Sequence, residues 1–143
     1  MTEEITLPHP RKSVCLVTED FVPAMTGVGF HVQCIAQQLL SLNYDVSIIT
    51  TRQSHQSSRE IWNGVSVFRV KTLKVMGYYQ AIASAAKLKR LVQQIQPSII
   101  HFHYLGFLLV RLRKIAKDLN IPSIYTYHMT VDHLAKNVMR PLK

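Results

Sequence analysis

A doubly wound α/β domain with a mostly parallel sheet is the fold class this sequence predicts. Three observations carry it. Short continuous apolar runs alternate with stretches of helical periodicity. Those runs lack the in-and-out alternation of a half-solvated strand, so both of their faces are covered. Polar residues collect where the runs end. At 143 residues and 48% hydrophobic composition, the chain can bury one core and is too short for two ordinary domains.

The elements follow in order. Val14 to Glu19 reads as a buried parallel strand ending in Glu19 and Asp20. After a loop with Pro23, the residues Val28, Val32, Ile35, Ala36, Leu39 and Leu40 recur at helical spacing, and that helix should end near Asn43. Val46 to Thr51 is a second strand, which completes a right-handed βαβ unit. Asn63-Gly64, between Ile61-Trp62 and Val65 to Phe68, signals a tight hairpin turn, and a third strand runs from about Val65 to Val70. Periodicity predicts a helix from about Tyr79 to Gln96, stopped by Pro97, with Lys87, Lys89 and Arg90 on its polar face. Ser98 to Phe102 is a fourth strand and Leu105 to Leu119 a third amphipathic helix. Ser123 to His128 is a fifth strand, and a further helix starts at Val131. Residues 1–12 read as a flexible tail before a single domain over 13–143.

Cys15 and Cys34 both lie in apolar periodic segments, which predicts reduced thiols in the cytoplasm rather than a disulfide framework. The first residues offer no apolar signal-peptide core, and no run approaches the ~20 apolar residues of a spanning helix. Net charge is +9, and from Arg69 to Lys117 there are ten Lys or Arg and no acid. Such a field attracts anionic headgroups, nucleotide phosphates or nucleic acid, although solvated helix faces account for it as well. The basic helices match no zinc-finger, helix-turn-helix or RNP pattern, so no specific nucleic-acid partner is expected.

Thr26-Gly27-Val28-Gly29 opens the first helix, where free amides and the helix dipole favour an anion, or where the glycines merely make a turn. It is not a dinucleotide fingerprint, because Val32 stands where the third glycine is required. A receiver domain is excluded as well: its third strand must end in aspartate and its fifth in lysine, whereas here they end in Val70-Lys71 and His128. His101 and His103, two apart on a strand, share a face, but a metal pair has no evident third ligand. His101 reads as a hydrogen-bonded interior residue and His103 as a cleft residue. His128, in the polar turn Tyr127 to Thr130, stands out among the seven histidines. On an α/β sheet these strand ends are where ligands bind.

Taken together, Asp20-Phe21-Val22-Pro23, Thr26 to Val32, Asn63-Gly64-Val65, Pro97 to His103 and Ile121 to His128 resemble the opening half of the retaining glycosyltransferases of family 4. The likeness spans the chain after its first twelve residues. It implies a Rossmann-like N-terminal, acceptor-side domain of the two-domain GT-B fold. The sub-branch implied is that of lipid glucosyl- and mannosyltransferases, on the run Tyr127 to Asp132.

By that resemblance His128 faces the reacting sugar or acceptor. Gly27, Val28, Gly29, His103, Thr130 and Asp132 line the acceptor and phosphate region, although Thr26 replaces the first glycine of the family's pair. The substrates implied are a nucleotide-sugar donor and a lipid or glycan acceptor, with no cofactor and no metal. The reduced thiols point to the cytoplasm, and the charge asymmetry from Arg69 to Lys117 motivates a peripheral place with the basic helices on an anionic membrane. The groups that clamp the donor would come from a second, C-terminal domain, so the chain by itself should be inactive. A non-catalytic paralogue that binds a phosphorylated ligand or a partner, and a generic polyanion binder, are the rival readings.

Overall fold

The computed structural model describes residues 12–24, 26–53, 55–75, 78–103 and 106–128. The strands are β1 (Ser13–Val17), β2 (Asp45–Arg52), β3 (Arg59–Trp62), β4 (Val65–Val75), β5 (Tyr78–Ala81), β6 (Ile99–Phe102) and β7 (Ser123–Tyr125). The helices are α1 (Gly27–Ser41), α2 (Ala85–Ile95) and α3 (Phe107–Asp118). The expected tail before residue 12 and the helix expected from Val131 lie outside the described residues.

Six strands hydrogen-bond in the order β3-β4-β2-β1-β6-β7, and β5 pairs with the far end of β4. The pairs β4–β2, β2–β1, β1–β6 and β6–β7 are parallel. Strands β1 and β2 are buried almost throughout, as their unbroken apolar runs require. The chain winds from β1 to one side through α1 and β2, then returns to the other side at β6. Its direction of winding therefore reverses between β1 and β6, and a crevice opens beyond the carboxyl ends of those two strands.

Alternate residues of each strand feed two separate cores. Val14, Leu16, Val46, Ile48, Val65 and Val67 meet Val32 and Ala36 of α1 on one face. Cys15, Val17, Ile49, Phe68, Ile100 and Phe102 meet Leu88 and Val92 of α2, and Leu108, Leu112 and Ile115 of α3, on the other. The doubly wound arrangement is therefore present. Each fully buried leucine or valine in these layers contributes about 1.5–3 kcal/mol over its exposed state. Both cysteines are free thiols; burial pushes that of Cys15 up to about 12, while Cys34 is exposed.

The structure corrects several element boundaries. Tyr78–Ala81 is not the start of a helix but strand β5, antiparallel to β4, which runs on to Val75. The helix begins only at Ala85, because Ser84 supplies a cap by accepting from the Lys87 amide at 3.3 Å. At the other end Gln96 takes a left-handed conformation before Pro97. β1 stops at Val17 and β7 at Tyr125, since their ladders end with Thr18 N–H donating to Ile49 and Thr126 N–H to Phe102. His128 consequently lies beyond its strand, in the turn that follows. The Asn63-Gly64 hairpin matches expectation: both residues have positive φ, 45° and 85°, as a two-residue turn of type I′ requires.

No helix among the described residues is long and apolar enough to cross a membrane.

Candidate functional site

The loop leaving β1 is pinned from beneath. Thr18 donates from Oγ1 to the Asp20 carbonyl at 3.1 Å, and the Thr50 and Thr51 hydroxyls of β2 both donate to the Glu19 carbonyl, at 3.1 and 2.6 Å. Phe21, 2% exposed, packs edge-on against Trp62 at 5.1 Å between ring centroids. From β4 the buried Arg69 guanidinium donates to the Val22 carbonyl at 2.6 Å and pairs with Glu60. A loop with so many buried polar anchors holds the start of α1 in a fixed place.

Thr26 is the N-cap of α1, and its Oγ1 accepts from the Gly29 amide at 3.0 Å. The Gly29 amide is thus committed to the helix. A Cβ on Gly29 would lie 3.1 Å from Thr26 Oγ1 and 3.3 Å from the Asp20 carbonyl, so this glycine is there for close packing. Gly27 differs. A Cβ there would meet nothing within 4 Å, and the Gly27 and Val28 amides are the first-turn donors that Thr26 leaves over. With the dipole behind them, they present a positive end to the crevice.

One helical turn after Gly27, on the same face of α1, stands His31. Its ring lies 4.8 Å from that of His128, which follows β7, and 5.6 Å from that of His103, which follows β6. His103 Nδ1 and His128 Nε2 are 3.4 Å apart. His103 is 1% exposed and its Nε2 has no hydrogen-bond partner among the described residues, whereas His31 and His128 reach solvent. His101 shares the face of His103, with ring centroids 4.0 Å apart, and its Nε2 is joined to Thr126 Oγ1 at 2.7 Å. Four imidazoles therefore crowd the mouth of the crevice.

Burial lowers the pKa of His103 to about 3, with the neighbouring His101, His128 and His31 adding to it. Burial and then the His31 ring also lower His128, and burial with His31 and His128 lowers His101. All three shifts favour the uncharged form of these rings. Across the loop, burial and then Asp20 raise the Glu19 carboxyl to about 7.

The model of glycosyltransferase family 4 matches residues 25–143. The chain belongs to glycosyltransferase family 4. This family 4 chain is also 27% identical, over 131 residues, to alpha-monoglucosyldiacylglycerol synthase of Streptococcus pneumoniae (strain ATCC BAA-255 / R6). The match covers 87% of the chain and 29% of that enzyme, so the chain spans less than a third of its relative's length. Among solved structures, the crystal structure of Prb, a PH1109 protein redesigned for binding, is similar at a TM-score of 0.41 and 17% identity. That likeness covers 93% of this chain and 88% of the other.

The fold of the family 4 chain gathers Gly27, Val28, His103 and His128 at one rim, through the contact of His31 with both other histidines. Thr130 and Asp132 lie outside the described residues. The basic residues Lys87, Lys89, Arg90, Arg113, Lys114 and Lys117 are exposed on α2 and α3, the layer opposite α1. Arg111 is used internally, donating to the Ala83 carbonyl. His31 was not singled out from the sequence. The signal was present, since it stands four residues after Gly27 on a helix, but only the strand order brings it to His103 and His128.

Proposed function

We propose that this chain is the acceptor-side half of a retaining glycosyltransferase that moves a hexose from a nucleotide-sugar to a lipid or glycan acceptor. The observation that supports it best is the contact of the His128 ring with His31, which stands one helical turn after the first-turn amides of Gly27 and Val28, at the point where the sheet reverses its winding. Family membership and the named activity of the pneumococcal relative point the same way.

In transfer, the bond from the anomeric carbon to the donor phosphate breaks while one to the acceptor oxygen forms. The departing diphosphate gains negative charge. Amides already oriented toward it lower the barrier without reorganising. His128 holds the acceptor hydroxyl by accepting its hydrogen bond, and the hydroxyl proton ends on the leaving phosphate. No metal enters this scheme. The charge clamp for the donor belongs to a second domain, so the chain alone gives no turnover.

The test is a transfer assay on the 143-residue chain alone and on the chain joined to a family 4 donor domain, over a panel of nucleotide-sugars with diacylglycerol and glycan acceptors. The joined protein should transfer and the chain alone should not. His128→Ala in the joined protein should lose roughly 100-fold or more in turnover, about 2.7 kcal/mol of barrier. Turnover by the chain alone, or an unaffected His128→Ala, overturns the reading.

A further inference from the structure

We propose that His31, His103 and His128 form a three-imidazole binding site for a borderline divalent transition-metal ion, Zn²⁺ first among them. Each comes from a different element: α1, the end of β6 and the turn after β7. One ring nitrogen from each can be chosen so that all three lie within 4.8 Å of one another. Around a tetrahedral zinc with Zn–N of about 2.05 Å, neighbouring nitrogens are separated by about 3.3 Å. His103 Nδ1 and His128 Nε2 already stand at 3.4 Å, the edge of such a tetrahedron. The third donor closes on them with a side-chain adjustment of up to about 1.5 Å, within reach of a rotamer shift at a solvent-facing ring.

Ordinary packing does not explain the cluster. The three ring centroids make a nearly equilateral triangle of 4.8, 5.6 and 5.6 Å, with interplanar angles of 76°, 61° and 32°, so the rings converge without stacking. A separation of 3.4 Å is long for a nitrogen-to-nitrogen hydrogen bond. His101, whose Nε2 is held by Thr126, packs against His103 and braces its ring.

An all-nitrogen set selects zinc, cobalt, nickel or copper, and it rejects magnesium and calcium, which demand oxygen ligands. The positive end of α1 opposes any cation here by about 0.3–1 kcal/mol, a small term beside three metal–nitrogen bonds. The fourth coordination position faces the crevice. Under the transfer reading, on which this last consequence rests, a bound ion occupies the lone pair that His128 offers the acceptor, so zinc and transfer exclude one another.

Titration of the metal-free chain with ZnCl₂ by calorimetry should give one site, and Co²⁺ should give the intense visible bands of a tetrahedral complex. Mg²⁺ should give neither. His31→Ala and His128→Ala, each checked for an unchanged thermal melt, should weaken Zn²⁺ by at least about tenfold. His55→Ala, on the loop after β2, should not. Should either ligand variant fail to fold, histidine modification by diethylpyrocarbonate on the unaltered chain, with and without Zn²⁺, reads the same contacts through protection of His31 and His128. Absence of binding, affinity indifferent to His31 and His128, or only the weak spectrum of six-coordinate Co²⁺ overturns the site. These readouts do not involve sugar transfer, so a failed transfer assay leaves them standing and the reverse is equally true.

Discussion

Glu19 leaves β1 half-buried beside Asp20, and burial, reinforced by that neighbour, raises its carboxyl from 4.5 to about 7. The folded state therefore binds this proton more tightly than the unfolded chain does. Its stabilising contribution is complete below pH 4.5 and is lost as pH rises toward 7 and beyond. At pH 8 the charged carboxylate is a net liability, so Glu19→Gln should stabilise the fold there by about 1–2 kcal/mol, solvent screening of a half-exposed group included. At pH 4 the variant and the parent should coincide; urea unfolding at the two pH values measures both. The loop acid was visible in the sequence as an acidic strand end, as were His103 and His128 as polar strand ends. The proton held by Glu19 was not visible, because it depends on how deeply Thr18, Thr50 and Thr51 draw the loop into the sheet.

Two glycines of one helix turn give opposite expectations. Gly29→Ala forces a methyl against Thr26 Oγ1 and the Asp20 carbonyl and should cost about 1–3 kcal/mol, read as a lowered melting temperature. Gly27→Ala meets open space in a helical position, so stability should hold or rise by up to about 1 kcal/mol. Under the proposed transfer function, in which the Gly27 amide faces the departing phosphate, activity should fall without loss of fold.

Element identities were largely legible: β1, α1, β2, the Asn63-Gly64 hairpin, β6 and α3 all lie near their expected places. β5 was not, because Ile82, Ala85 and Leu88 extend an apolar periodicity backwards through residues that are in fact paired with β4. Only the cap at Ser84 marks the true start. His31 escaped for a related reason. A helix reveals which of its residues share a face, but not which strand end that face will meet.

Across the whole molecule, α1 and the histidine rim occupy one layer, while the basic residues of α2 and α3 occupy the other. Phe107 and Val110 of α3 are exposed, 61% and 64%, beside that charge. A membrane role for this surface predicts flotation of the chain with anionic vesicles, abolished by raised salt and absent with neutral lipid, since each basic residue near such a surface contributes about 1 kcal/mol. Reversal of Lys89, Arg113 and Lys114 to glutamate should remove flotation while leaving Zn²⁺ binding intact. Flotation that ignores salt would refute the electrostatic account.

The chain has a single tryptophan, and the structure sets it edge-on against Phe21 of the loop that fixes the start of α1. Its fluorescence is thus a built-in gauge of that loop. A phosphorylated ligand whose binding at the start of α1 disturbs this packing should shift the emission. Zinc seated among the imidazoles should leave the indole dark to the event, so one cuvette can tell the two kinds of visitor apart.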